Sequence, residues 1–140
     1  NRGYHLSPLP PSSRYIKMDG REVFRFSTRI CSEAIQNVVQ KAGWSIEDLA
    51  LIIPHQANYR IILSASNFLG IPIDRFYLNV QRYGNTSAAS IPIALAEAIE
   101  EGKLQPGQKT VLVAFGGGLT WAAIALEWST PISQRPDSIL

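Results

Sequence analysis

Few residues in this sequence have the chemistry of a reaction site, and they fall in three short segments. His55 stands in Pro54-His55-Gln56-Ala57-Asn58, just past an apolar run that reads as a strand and just before a helical pattern. Ligands gather at the carboxyl ends of strands in open α/β sheets, which makes this histidine a candidate. A lone loop histidine also serves simply as a capping or hydrogen-bonding group. Asn85, in Gly84-Asn85-Thr86-Ser87-Ala88-Ala89-Ser90, opens a helical pattern, where asparagine is a favoured N-cap. Gly116-Gly117-Gly118 either turns a hairpin or keeps side chains away so that backbone N–H groups approach a ligand oxygen. Cys31 lies one position after the apolar stripe of a helix with no histidine near it in sequence, so it reads as a small buried hydrophobe and not as a nucleophile. Taken singly, each of the other candidates keeps its structural alternative.

These residues need elements to hold them. Val23, Phe26, Ile30, Ala34, Ile35 and Val38 recur at helical spacing after Asp19-Gly20, and Gly43 supplies a C-cap, so a helix is predicted over 21–42. Leu51-Ile52-Ile53, closed by Pro54, predicts a strand, and 59–69 a helix ending at Gly70. A second strand is expected over 75–80. Ile91, Leu95, Ala98 and Ile99 predict a helix over 87–101 that stops at Gly102 and is kinked by Pro92. Residues 110–115 and 119–128 read as the two strands of a hairpin joined by the glycine run. Val111 to Phe115 is apolar without alternation, so both faces of that strand should be covered by helices. The expected class is α/β with a mixed sheet.

Composition bounds the possibilities. The chain has 140 residues, 13 Lys+Arg against 11 Asp+Glu, a formal charge of +2, 46% hydrophobic residues and one cysteine. That is one domain, able to remove roughly two-thirds of its unfolded surface from water. A single cysteine excludes an internal disulfide, no Cys/His spacing suits zinc, and a reducing compartment fits. The small net charge argues against a nucleic-acid binder, and no window approaches the ~18 apolar residues of a membrane span. The first fourteen residues, with Pro8, Pro10 and Pro11 and nothing like a signal peptide, are expected to form a linker or cut edge. The lack of an initiator methionine suggests a processed chain or fragment. The folded body is expected over 15–128 and a tail over 129–140.

Together the segments say more than they do singly. Ile53-Pro54-His55-Gln56-Ala57-Asn58-Tyr59-Arg60, Gly84-Asn85-Thr86-Ser87-Ala88-Ala89-Ser90 and Ala114-Phe115-Gly116-Gly117-Gly118-Leu119-Thr120-Trp121 occur in that order and spacing. They resemble the C-terminal half of β-ketoacyl-[acyl-carrier-protein] synthase III, which starts type II fatty-acid synthesis. The resemblance implies a thiolase-like fold, an αβαβα layered sandwich of two similar halves of which this chain would be the second, in an enzyme that is normally a homodimer. It also implies a Cys-His-Asn site, with the histidine at His55, the asparagine at Asn85 and the cysteine in the first half.

The implied reaction is a decarboxylative Claisen condensation of an acyl-CoA, usually acetyl, with malonyl-acyl carrier protein. Loss of carbon dioxide leaves an enolate on the thioester oxygen, and two neutral N–H donors suit that charge. The backbone N–H of Gly117 would serve the later oxyanion. The resemblance implies that Arg25 and Arg60 would occupy basic positions that help receive the acidic carrier protein and its phosphopantetheine arm, and that Asn58 and Phe115 would be supporting residues. Asn58 holds its loop or a substrate-bound water, or else caps a helix. The implied partners are acyl carrier protein, acyl-CoA and the cysteine-bearing half, with no nucleic acid, membrane, metal or resident cofactor; coenzyme A thioester and phosphopantetheine-bound malonyl are substrates. A cytoplasmic place is expected, or a plastid in a plant.

Two alternatives stand beside this reading: a condensing enzyme of polyketide metabolism, and a non-catalytic thiolase-like interaction module. The chain alone is expected to be inactive and to associate, because a lone half exposes the apolar face meant for its twin.

Overall fold

The computed structural model describes residues 18–129. Asp19 starts the first helix by accepting the backbone N–H groups of Arg21 and Glu22 at 3.0 and 3.1 Å, which satisfies donors that the helix itself cannot. Helix α1 runs over Gly20–Lys41. A 3-10 turn at Ile46–Asp48 leads into strand β1, Leu49–Pro54, and helix α2 follows over Tyr59–Leu69, capped by Asn58 and ended at Gly70. After a 3-10 turn at Ile73–Arg75 come the one-turn helix α3, Val80–Tyr83, and helix α4, Ser90–Glu100. Strands β2, Lys109–Gly116, and β3, Thr120–Glu127, form the hairpin.

The three strands lie in the order β1-β2-β3, with β1 parallel to β2 and β2 antiparallel to β3. This is the mixed sheet expected from the sequence. Successive side chains of a strand point to opposite faces, and the packing follows that rule. Ile52 of β1 and Val111 and Val113 of β2 meet Cys31, Ala34, Ile35 and Val39 of α1 and Ile62 and Ala65 of α2. Leu51, Ile53 and Leu112 pack on the other side against Ala94 and Ala98 of α4. Both faces are covered, and Ile52, Ile53 and Val111 are fully buried. Burying one such aliphatic side chain contributes about 1.5–3 kcal/mol.

Two expectations are corrected. No strand forms over 75–80; Phe76 makes only an isolated parallel bridge with Ile52, at the outer edge of β1. The apolar alternation of Phe76, Leu78 and Val80 imitates a strand, but the side chain of Gln56 accepts the N–H groups of Asn79 and Val80, at 3.0 and 3.1 Å. Those donors are withdrawn from any ladder, and the chain turns into α3. Nor is there a kink inside the helix at Pro92. The segment divides into a 3-10 turn at Ser87–Ala89 and an α-helix from Ser90, which puts Pro92 in the first helical turn. There its missing N–H costs little. The expected linker over 1–14 and all but the first residue of the expected tail lie outside the described residues.

Candidate active site

Because β1 and β2 run in parallel with Pro54 beside Val113, the residues after Pro54 and those at the end of β2 emerge side by side. The N–H of His55 continues the pairing by donating to the Val113 carbonyl at 2.7 Å. The His55 ring lies half-buried on the α4 side of the sheet, its Nδ1 2.5 Å from Ser90 Oγ. Phe115 meets it edge to face, with ring centroids 5.4 Å apart and planes at 71°. Burial lowers the His55 pKa from the usual value, because the charged imidazolium loses water. The shift favours the neutral ring.

Gln56 fixes the base of this arrangement. Its amide nitrogen donates to the Pro54 and Tyr77 carbonyls at 2.9 and 3.0 Å, while its oxygen takes the two N–H groups that start α3. Four hydrogen bonds satisfy a buried side chain and tie the loop after β1 to residues 77–80. From α3 the chain reaches Asn85 through Gly84, whose φ of 66° lies in the left-handed region that glycine adopts without strain. Asn85 Oδ1 accepts the Ser87 N–H at 3.0 Å. The capping role suggested by its residue type is therefore present. It engages only the amide oxygen and leaves the Nδ2 donor for other work.

His55 and Asn85 line the same two adjoining cavities at the carboxyl ends of β1 and β2. The first, of about 510 Å³, also holds Ser87, Ser90, Phe115 and Gly117 on its walls. The second is walled by Asn58, Phe24 and the glycine run. Gly118 in that run has φ of 143°, and a Cβ there would sit 2.7 Å from Thr120 Cγ2, so no other residue fits without a shift. Ser87 has a positive φ of 53°, unusual for a residue with a side chain, and it too lines both cavities. Strain of this kind concentrates where a loop is shaped for a task.

The basic residues gather outside. Arg25 and Arg60 line a shallow groove with Arg21, Phe24 and Asn58. Arg25 is exposed and bonded to Glu22 at 2.8 Å, a surface pair of little energetic weight. Asn58 caps α2, accepting the Arg60 N–H at 2.8 Å, and at the same time walls the second cavity. Arg29, on the same helical stripe, pairs with Glu33. Cys31 is buried, with its thiol pushed up to about 12 by desolvation. Such a thiol is inert as a nucleophile.

Sequence reading missed Ser90 and Gln56. Their only signal was a polar type placed next to an apolar one, and their partners lie 35 and 24 positions away. Among the described residues no cluster of three or more His, Cys, Asp or Glu could hold a metal, and no helix is long and apolar enough to cross a membrane.

Comparison with known proteins bears on this arrangement. Residues 39–128 match the family described as 3-oxoacyl-[acyl-carrier-protein (ACP)] synthase III C terminal. The chain is 53% identical over 116 residues to a β-ketoacyl-[acyl-carrier-protein] synthase III of Clostridium perfringens, covering 83% of this chain and 36% of the relative. It is 54% identical over 111 residues to the enzyme of that name from Bacillus pumilus, covering 79% of this chain and 36% of that one. The crystal structure of β-ketoacyl-[acyl carrier protein] synthase III from Thermus thermophilus superposes with a TM-score of 0.81 at 47% identity, over 90% of this chain and 40% of the other. The chain thus spans little more than a third of the length of these relatives. With its mixed sheet between helical layers, it belongs to the C-terminal domain family of β-ketoacyl-[acyl-carrier-protein] synthase III and forms one half of the thiolase-like fold.

Proposed function

We propose that this chain supplies the decarboxylation half of the active site of a condensing enzyme that joins an acyl-CoA to malonyl-acyl carrier protein and so initiates fatty-acid synthesis. The observation that carries the reading is the shared cavity of His55 and Asn85, two uncharged side chains each with one end engaged and one end open. When the malonyl thioester loses carbon dioxide, the electron pair of the breaking bond moves onto the thioester as an enolate. An imidazole N–H and an amide N–H, held in place beforehand, stabilise that oxygen without a proton having to move. One such donor is worth about 3 kcal/mol in turnover.

The enolate carbon then attacks an acyl-cysteine thioester contributed by the remaining part of the enzyme. The tetrahedral oxyanion collapses, expelling the cysteine thiolate and leaving a β-ketoacyl thioester on the carrier. Gly117, at the hairpin tip on the cavity wall, supplies a backbone donor to that oxyanion. The coenzyme A was released earlier, when the cysteine took the acyl group. Arg25 and Arg60 flank the outer groove and would attract an acidic carrier protein, chiefly by steering encounter.

The partners in this reading are the carrier protein, acyl-CoA, the cysteine-bearing half and a second copy of the enzyme. Support for a covering partner comes from the exposed apolar side chains of Trp121 and Ile124 on β3. A free, buried Cys31 agrees with a reducing compartment such as the cytoplasm.

The test is carbon dioxide release from a malonyl thioester by the full-length enzyme carrying His55→Ala. We expect the rate to fall by about two to three orders of magnitude. Undiminished release with the fold intact would remove the reading.

A further inference from the structure

We propose that Ser90 is a positioning residue for His55: its buried hydroxyl donates to Nδ1 and thereby obliges the ring to carry its proton on Nε2. The proposal deepens the reading of His55 as a donor to the substrate oxygen and rests on it.

Ser90 is the first residue of α4 and only 2% exposed. Its Oγ lies 2.5 Å from His55 Nδ1 and also accepts the backbone N–H of Gln56 at 3.3 Å. A hydroxyl has one hydrogen to give and two lone pairs to receive. With the Gln56 N–H directed at the oxygen, the hydroxyl hydrogen still needs an acceptor, because a buried donor left unpaired forfeits its bond to water and gains nothing in return. Among the described residues, Nδ1 is the acceptor in reach.

The opposite orientation, with Nδ1–H donating to Oγ, would send two N–H groups at one oxygen and strand its own hydrogen in a dry site. The satisfied arrangement therefore makes Nδ1 the acceptor. In a neutral imidazole the other nitrogen then holds the proton. Phe115 closes one side of the ring, and the backbone of His55 is fixed by its bond to Val113, so the ring has little freedom to turn Nδ1 elsewhere. Ile91 and Pro92, which follow in α4, have no hydroxyl to bring to this point. The 3-10 turn at Ser87–Ala89 delivers Ser90 to it.

The experiment is long-range ¹H–¹⁵N correlation spectroscopy on the full-length enzyme with ¹⁵N-labelled histidine, the His55 signals being assigned by their loss in His55→Gln. It is run alongside malonyl-thioester decarboxylation and acylation of the cysteine. We expect the unsubstituted protein to show a neutral His55 with the proton on Nε2. In Ser90→Ala the Nε2–H tautomer should lose its dominance and decarboxylation should slow between about tenfold and a thousandfold, the upper end being loss of the whole donor. Its KM for the malonyl thioester and its cysteine acylation should stay near the unsubstituted values.

Ser90→Thr, which keeps the hydroxyl, should restore both the tautomer and the rate. Ser90→Cys, which keeps the shape but donates weakly, should behave as alanine does and serves if the alanine protein does not fold. A proton on Nδ1 in the unsubstituted enzyme, or an unchanged tautomer in both Ser90→Ala and Ser90→Cys, would overturn the proposal. If the tautomer shifts as expected while His55→Gln decarboxylates normally, the assignment to Ser90 stands and the donor reading of His55 falls instead.

Discussion

The ring of Phe115 meets the imidazole of His55 edge to face, with centroids 5.4 Å apart, and lines the same cavity, covering part of the histidine from solvent. Desolvation lowers the His55 pKa below its usual 6.5. Decarboxylation by a neutral donor should thus persist as pH falls past 6.5 and fail only below the lowered value. Phe115→Ala admits water and should move the acid limb of the decarboxylation profile upward toward that value, as pH–rate measurements on the two proteins will show. The sign for stability is parallel. A histidine that binds its proton less readily when folded contributes stability present above its unfolded pKa and lost as pH falls toward the folded one. Acid unfolding followed by circular dichroism should therefore begin at higher pH in the native protein than in His55→Gln.

Asn85 serves two ends of one amide, and two substitutions separate them. Asp keeps the oxygen that accepts the Ser87 N–H, while Ala loses it, at about 1 kcal/mol of stability. Both remove the N–H₂ donor. We expect Asn85→Asp to melt near the unsubstituted protein and yet decarboxylate about two to three orders of magnitude more slowly. Acylation of the cysteine, measured in parallel, should suffer less in both. Retained turnover in the Asp protein would mean that Asn85 is a cap and nothing else.

Gln56 satisfies four backbone groups around the site. Gln56→Leu has similar bulk but leaves them buried without partners, and the expected loss is on the order of 3–5 kcal/mol. The midpoint of urea unfolding reports it. A loss below about 1 kcal/mol would show that water replaces the amide readily.

Trp121 and Ile124 are 54% and 57% exposed on β3, whose outer edge pairs with no strand among the described residues. An uncovered edge with large apolar side chains invites association. The 140-residue chain produced alone should form dimers or larger species in light scattering, and Trp121→Lys together with Ile124→Lys should shift it toward monomer.

Much of this site could be read in one dimension. The run Leu51-Ile52-Ile53-Pro54 marks a strand end, which by itself puts His55 at a carboxyl edge, and β1 ends at Pro54. Gly84 before Asn85 and the glycines after Phe115 signal local backbone needs that each residue type announces by itself. What escaped were relationships between distant positions. The alternation of Phe76, Leu78 and Val80 is a true strand pattern, and only the Gln56 side chain, 24 positions from Val80, diverts it. Ser90 reads as one more polar residue in the first turn of the helix predicted over 87–101, because its buried partner is 35 positions earlier.

The irregular step in register between Leu49 and Leu51 sets a rule for how this chain can vary in length. Leu49 and Ile52 face the same helices despite being an odd number of positions apart, so the irregularity resets the alternation before the buried part of the strand begins. From Leu51 onward the count is strict: Leu51 and Ile53 face α4, and His55 continues that series toward Ser90. Gaining or losing one residue between 51 and 55 would turn the imidazole to the opposite face, toward α1 and α2. Upstream of Leu51 the same change can be taken up where the register already steps. Natural length variation should therefore collect before Leu51, and any found after it should come in pairs of residues.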